Sequence, residues 1–141
     1  MPPVKSFPVL GEKVDILVSG ESTGGKSMTL VQTSPPGGGP PPHCHQNEDE
    51  TFVVLEGEYE YLAGGAWRKA SAGDAFYGPR GEAHTFRNVG STAGRILVVV
   101  APAAFEAFLE EISPLSVPAD LQKVLEIGAR YGVTFPPPPG A

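Results

Sequence analysis

The sequence predicts an all-β protein, a double-sheet jelly-roll barrel, followed by one or two C-terminal α-helices. Three observations carry this. Short runs rich in Val, Ile, Thr and aromatic residues recur between residues 13 and 101, several alternating between apolar and polar. The chain's 18 glycines and 16 prolines gather between those runs and in the tails, and form no repeat. After Pro102 the apolar spacing changes from every second residue to i, i+3, i+4, i+7. A chain of 141 residues suits one domain with a real core. The expected division is an N-terminal arm at 1–12, a barrel at 13–102, a helical segment at 103–133 and a disordered tail at 134–141.

Residues 1–10 carry three prolines and read as an extended arm. Lys13–Ser19 reads as a strand in which Val14, Ile16 and Val18 alternate with Lys13, Asp15 and Leu17. A second strand spans about Lys26–Ser34. The turn between them, Gly20-Glu-Ser-Thr-Gly-Gly25-Lys26-Ser27, matches the phosphate-binding pattern Gly-x4-Gly-Lys-Ser. That pattern must open a helix whose N-terminus faces the phosphates. Here a β-branched run and two prolines follow, so a hairpin loop is expected. Pro35–Pro42 is a Gly/Pro loop. Phe52–Leu55 reads as a strand. Glu58-Tyr59-Glu60-Tyr61 alternates, turning both tyrosines inward. Ala63–Ala66 reads as a hairpin turn and Trp67–Ala70 as its return strand. Asp74–Tyr77 and Ala83–Val89 read as further strands, with His84, Phe86 and Asn88 on one face. Arg95–Ala101 is nearly all apolar and reads as a strand buried on both faces.

In the tail, Phe105, Phe108, Leu109 and Ile112 form one helical stripe, with Glu106, Glu110 and Glu111 on the wet side. A second helix is expected from an N-cap at Asp120 to a C-cap at Gly132. The helices are expected to pack on the outer sheet or a partner chain, the alternative being a lid over the barrel mouth.

Sixteen acidic against ten basic residues give a formal charge of −6, which argues against nucleic-acid and anionic-membrane surfaces. One cysteine excludes an intramolecular disulfide framework. No run reaches membrane-span length and the N-terminus has no signal-peptide core, so a cytoplasmic protein is expected.

The chemistry concentrates in two stretches. Gly37–Gly57 holds His43 and His45, which an extended strand would turn to one face, and Glu50 at the start of the next apolar run. Gly73–Asn88 holds the third histidine, His84. His43 and His45 alone read as ordinary polar strand residues. Three imidazoles and a carboxylate, with no second cysteine, suit an open divalent-metal site better than a closed structural zinc site. Cys44, between two inward residues, is expected to point away and pack.

These stretches resemble the two motifs of the cupin superfamily. Gly37, His43, His45, Glu50 and Gly57 fit the first, and Gly73, Pro79, Gly81, His84 and Asn88 fit the second, without a gap. The motif resemblance covers residues 37–88 and is to compact single-domain cupins; the helical tail resembles, more loosely, those of quercetin-dioxygenase-like bacterial cupins. It implies a double-stranded β-helix barrel and one divalent transition metal per chain (Fe, Mn, Ni, Cu or Zn) held by His43, His45, Glu50 and His84. Asp49 is the competing carboxylate, disfavoured because the spacing to Gly57 fits Glu50. Asn88 is expected to be a structural hydrogen-bonder. Phe52, Tyr59, Tyr61, Phe76 and Phe86 are cavity or core aromatics. The implied activity is a dioxygenase-type oxidation of a small enol-bearing or aromatic molecule, with Glu50 also catalytic as proton acceptor. The alternatives are a small-molecule binding or sensing module and a metal-dependent isomerase or lyase. A homodimer is expected.

Overall fold

The computed structural model describes residues 2–136. Its strands are β1 (Lys5–Val9), β2 (Glu12–Val18), β3 (Met28–Ser34), β4 (Cys44–His45), β5 (Asp49–Glu56), β6 (Glu58–Ala63), β7 (Ala66–Ser71), β8 (Ala75–Gly78), β9 (Thr85–Asn88), β10 (Gly94–Ala101) and β11 (Val133–Thr134). The helices are α1 (Phe105–Ile112) and α2 (Leu121–Tyr131). A six-stranded sheet runs β1-β2-β3-β10-β5-β8, a three-stranded sheet runs β7-β6-β9, and β11 pairs with β4. All pairings are antiparallel. This is the expected jelly roll, with the two sheets facing each other across one core.

The core lies between the sheets. Ile16, Leu30, Phe52, Val54, Ile96, Val98 and Val100 point inward from the large sheet, and Tyr59 and Phe86 from the small one. Strand alternation explains the selection, since each contributes every second residue. The phosphate-loop look-alike is a turn joining two antiparallel strands, with no helix after it. Gly57 and Gly81 adopt φ of 99° and 82°, where a Cβ would be strained. Asn88, 1 % exposed, donates to the Ser34 and Thr92 carbonyls at 3.0 and 2.8 Å and accepts from the Gly90 amide at 2.8 Å.

Several expectations need correction. The N-terminal arm is not free: Lys5–Val9 folds back on β2 of its own chain as an edge strand. The β2 alternation breaks where the register with β3 shifts between Ile16 and Val18, leaving Val18 exposed. β10 is not buried on both faces. Ile96, Val98 and Val100 are buried, but Leu97 and Val99 are only half-buried on the outer face. Glu106 is not on the wet side of α1. It is buried, with its carboxylate taking bonds from Lys5 Nζ (2.9 Å), Ser19 Oγ (2.8 Å) and the Gly20 amide (2.8 Å). Those donors, distant in sequence, make burial of the charge tolerable.

Asp120 does not cap α2; its side chain accepts from the Ser116 amide at 3.0 Å and closes the preceding turn. Gly132 does end α2, with φ 74° and its amide bonded back to the last turn. Val133 and Thr134 then pair with His45 and Cys44. The disordered tail expected at 134–141 therefore begins within a paired strand, and residues 137–141 lie outside the described residues. No described helix is long and apolar enough to cross a membrane.

Candidate metal centre

Backbone pairing brings the two histidine stretches together. His43 and His84 form an antiparallel bridge, each amide bonded to the other's carbonyl at 3.0 and 2.9 Å. His45 follows on β4, and its carbonyl accepts from the Gly81 amide at 2.7 Å. Glu50, on β5, is flanked by Val100 and Gly78. A Cβ on Gly78 would lie 3.0 Å from His84 Nδ1, so the glycine gives the imidazole its room.

One nitrogen or oxygen from each of His43, His45, Glu50 and His84 falls within 4.8 Å of the others, and all four residues are buried. Asp49 is excluded from the cluster. It faces outward and pairs with Arg80 Nη2 at 3.0 Å, which together with the Arg80 amide holds its carboxyl below the usual range. Cys44 is buried and turned from the centre, as alternation requires.

The polarity of the ring nitrogens shows what the cluster is built for. His43 Nδ1 faces the Pro41 carbonyl at 2.9 Å, and His84 Nδ1 faces the Glu82 carbonyl at 3.2 Å. His45 Nδ1 faces Glu48 Oε1 at 3.2 Å. All three partners only accept, so each neutral ring carries its proton on Nδ1. The three Nε2 lone pairs then converge on Glu50 Oε1, at 3.9, 2.7 and 2.8 Å for His43, His45 and His84. His45 Nε2 is fully buried and lacks a well-aligned hydrogen bond despite its closeness to Glu50. Three lone pairs and a carboxylate oxygen pointing at one another repel unless a cation lies among them. Imidazoles and one carboxylate are the donors that divalent transition metals prefer, so the residues fit such an ion.

Without a metal, a proton takes part of that role. Burial opposes charge on His45, but the Glu48 and Glu50 carboxylates outweigh it and raise its pKa to about 9. Burial, with the neighbouring histidines, lowers His43 to about 3. Burial would raise the Glu50 pKa, yet the His45 and His84 rings, 2.7 and 2.8 Å from its Oε1, hold it well below the usual carboxylate range.

A cavity of about 60 Å³ opens onto His43 and Glu50. Its walls are mostly apolar, including Leu30, Phe52, Phe86 and Val98 from the sheets, and Gln32 is the one further polar side chain among its described lining. Phe105, Phe108, Leu109 and Ile112 of α1 also line it, as do Val133 and Phe135. The amphipathic face of α1 thus covers the space beside the metal cluster, as in the lid alternative, which corrects for this helix the expected packing on the outer sheet. Phe105 packs edge-on to His45 with ring centroids 4.5 Å apart. Of the aromatics singled out, Phe52 and Phe86 reach the cavity. Tyr59 is core, and Tyr61 stacks on Phe76 at 4.1 Å away from it. Sequence reasoning missed Glu48, Gln32 and Phe135; of these only Glu48, beside the motif, offered a local signal.

Residues 30–100 match the family model for the Cupin domain. Among curated proteins, the chain is 29% identical over 108 residues to a Myxococcus xanthus protein named Endoribonuclease YbeY, covering 77% of this chain and 35% of that protein. It is 36% identical over 62 residues to an uncharacterized Aquifex aeolicus protein, covering 44% of this chain and 50% of the other. The chain thus spans between about a third and a half of these relatives. Among solved structures it superposes on a predicted oxalate decarboxylase from Thermotoga maritima with a TM-score of 0.63 and 27% identity, covering 72% of this chain and 93% of that one.

Proposed function

The chain belongs to the cupin family, and we propose that it is a metal-dependent oxidoreductase of the dioxygenase type, acting on a small, largely apolar, enol-bearing molecule. The observation that carries this is the cavity: apolar walls, the metal cluster at one end, and no Lys, Arg or Asp among its described lining residues. A divalent transition metal bound there supplies Lewis acidity and, if redox-active, electron exchange with dioxygen.

The protein's own groups do the rest. Pro41, Glu48 and Glu82 hold the three rings with Nε2 inward. His45 and His84 both meet the Glu50 carboxylate at Oε1, and its Oε2 would be the atom to take an enol proton. Phe105 and Phe108 keep bulk water from the cluster. At about 60 Å³ the space is well below the roughly 150 Å³ apolar cavity that admits benzene. A compact enol therefore suits this closed form better than a multi-ring aromatic.

Oxalate chemistry, suggested by the Thermotoga protein's description, fits less well. A small dianion needs a cationic partner for its second carboxylate, and the described lining offers none. The ribonuclease name of the Myxococcus relative is not carried over, because the chain covers 35% of that protein and bears a net charge of −6. The proposal includes a homodimer, supported by half-buried Leu97 and Val99 on the outer face of β10, which sedimentation would read directly.

The test is oxygen uptake by metal-loaded protein with enol-forming carbonyl compounds smaller than benzene, of about three or four carbons. Consumption of oxygen with substrate supports the reading. Conversion that proceeds equally without oxygen would point to an isomerase or lyase. Ligand-induced stabilisation with no turnover would leave a binding module.

A further inference from the structure

We infer that Glu48 is a positioning residue of the metal centre: its carboxylate takes the Nδ1 proton of His45 and thereby keeps His45 Nε2 open for the metal. The inference rests on the metal-centre reading above and deepens it. Glu48 is 2 % exposed and His45 is fully buried, with Glu48 Oε1 3.2 Å from His45 Nδ1. Burying a carboxylate is costly without a partner, and this one has an imidazole N–H. His43 and His84 are oriented differently. Their Nδ1 atoms face the backbone carbonyls of Pro41 and Glu82, which no side-chain substitution removes. His45 alone depends on a side chain.

The alternative tautomer of His45 shows why that dependence matters. Its Nε2 is 2.7 Å from Glu50 Oε1. Without an acceptor at Nδ1, the ring would gain most by moving its proton to Nε2 and donating it to Glu50. That proton would occupy the place of the metal and engage the one carboxylate ligand at the same time. Glu48 removes this option by giving the proton a better position on the far side of the ring. Its charge also makes the ring a stronger donor, as a carboxylate behind a metal-bound histidine does generally. A neutral acceptor keeps the tautomer and loses only the charge, so the two contributions separate by substitution.

The experiment compares wild type, Glu48→Gln and Glu48→Leu. Zinc affinity is measured by competition with a chromophoric chelator, and the tautomers of the metal-free proteins by nitrogen NMR of labelled histidine at about pH 10, where the His45 ring is neutral. Glu48→Gln should keep the His45 proton on Nδ1 and bind zinc about tenfold more weakly. Glu48→Leu should move that proton to Nε2 and weaken zinc by about a hundredfold or more, while His84 keeps its tautomer. Zinc binding at wild-type strength in Glu48→Leu with an unchanged His45 tautomer would overturn the role of Glu48 and leave the centre intact. Wild type that takes up no zinc would overturn the centre and the inference together. If Glu48→Leu does not fold, the near-isosteric Glu48→Gln decides: wild-type affinity there, with no change in the His45 ring signals, refutes the role of the charge.

Discussion

Replacing His84 by alanine separates metal binding from folding within one pair of melting curves. The ring is 3 % exposed, its Nε2 lies 2.8 Å from Glu50 Oε1, and it packs 4.5 Å from His43 and 5.5 Å from Phe52. His84→Ala therefore removes one of four donors and opens a small void beside Gly78. Unfolding entropy of about 2.1 cal/mol/K per residue gives roughly 0.3 kcal/mol/K for this 141-residue chain. A metal present at about 100 times its Kd stabilises the native state by about 2.7 kcal/mol, a rise in Tm of about 9 °C for wild type. The metal-free mutant should melt lower by the usual cost of a core deletion, roughly 1–3 kcal/mol. The informative quantity is the metal-induced shift, which cancels that folding cost. It should be about 9 °C in wild type and close to zero in His84→Ala at the same metal concentration, by differential scanning calorimetry. A mutant that keeps the wild-type shift would refute the assignment of His84 as a ligand.

Three further outcomes are expected. In chelator, stability should peak near pH 6.5. The folded-state pKa of His45, raised from 6.5 to about 9, makes its contribution complete below pH 6.5 and lost as pH rises through 9; that of His43, lowered to about 3, makes acidification below 6.5 destabilising; melts from pH 5 to 9.5 read both limbs. Asn88→Ala strands the carbonyls and amide that Asn88 bonds and should cost about 2–3 kcal/mol with the metal shift unchanged, by urea denaturation with and without zinc. Phe108→Ala, at a residue 2 % exposed in the cavity wall, should cost about 3–5 kcal/mol and admit a benzene-sized ligand that wild type excludes, by calorimetric titration.

The sequence revealed most where the constraint is local. Ten motif positions placed His43, His45, Glu50 and His84 on neighbouring strands, and the structure brings those four together. Gly57 and Gly81 stood where the backbone needs positive φ, and Asn88 where a turn needs three hydrogen bonds. What escaped was set by partners far along the chain. The apolar stripe of α1 announced that one face is buried but not that the metal cavity lies beneath it. Glu106 looked wet by helical periodicity, and only Lys5, Ser19 and the Gly20 amide explain its burial. β11 is two residues long, too short for any periodic signal, and exists because β4 offers it an edge.

That last pairing has a thermodynamic consequence. Val133 is hydrogen-bonded in register with His45, a candidate ligand, and the Gln46 amide donates to the Gly132 carbonyl at 2.9 Å. Docking of the C-terminal segment and occupancy of the metal site therefore share a strand, and linkage makes their coupling reciprocal. Whatever peels the segment from β4 weakens the ion's hold by some factor, and the ion must oppose peeling by the same factor. Amide exchange at Val133 and Thr134 is then expected to slow when metal is added.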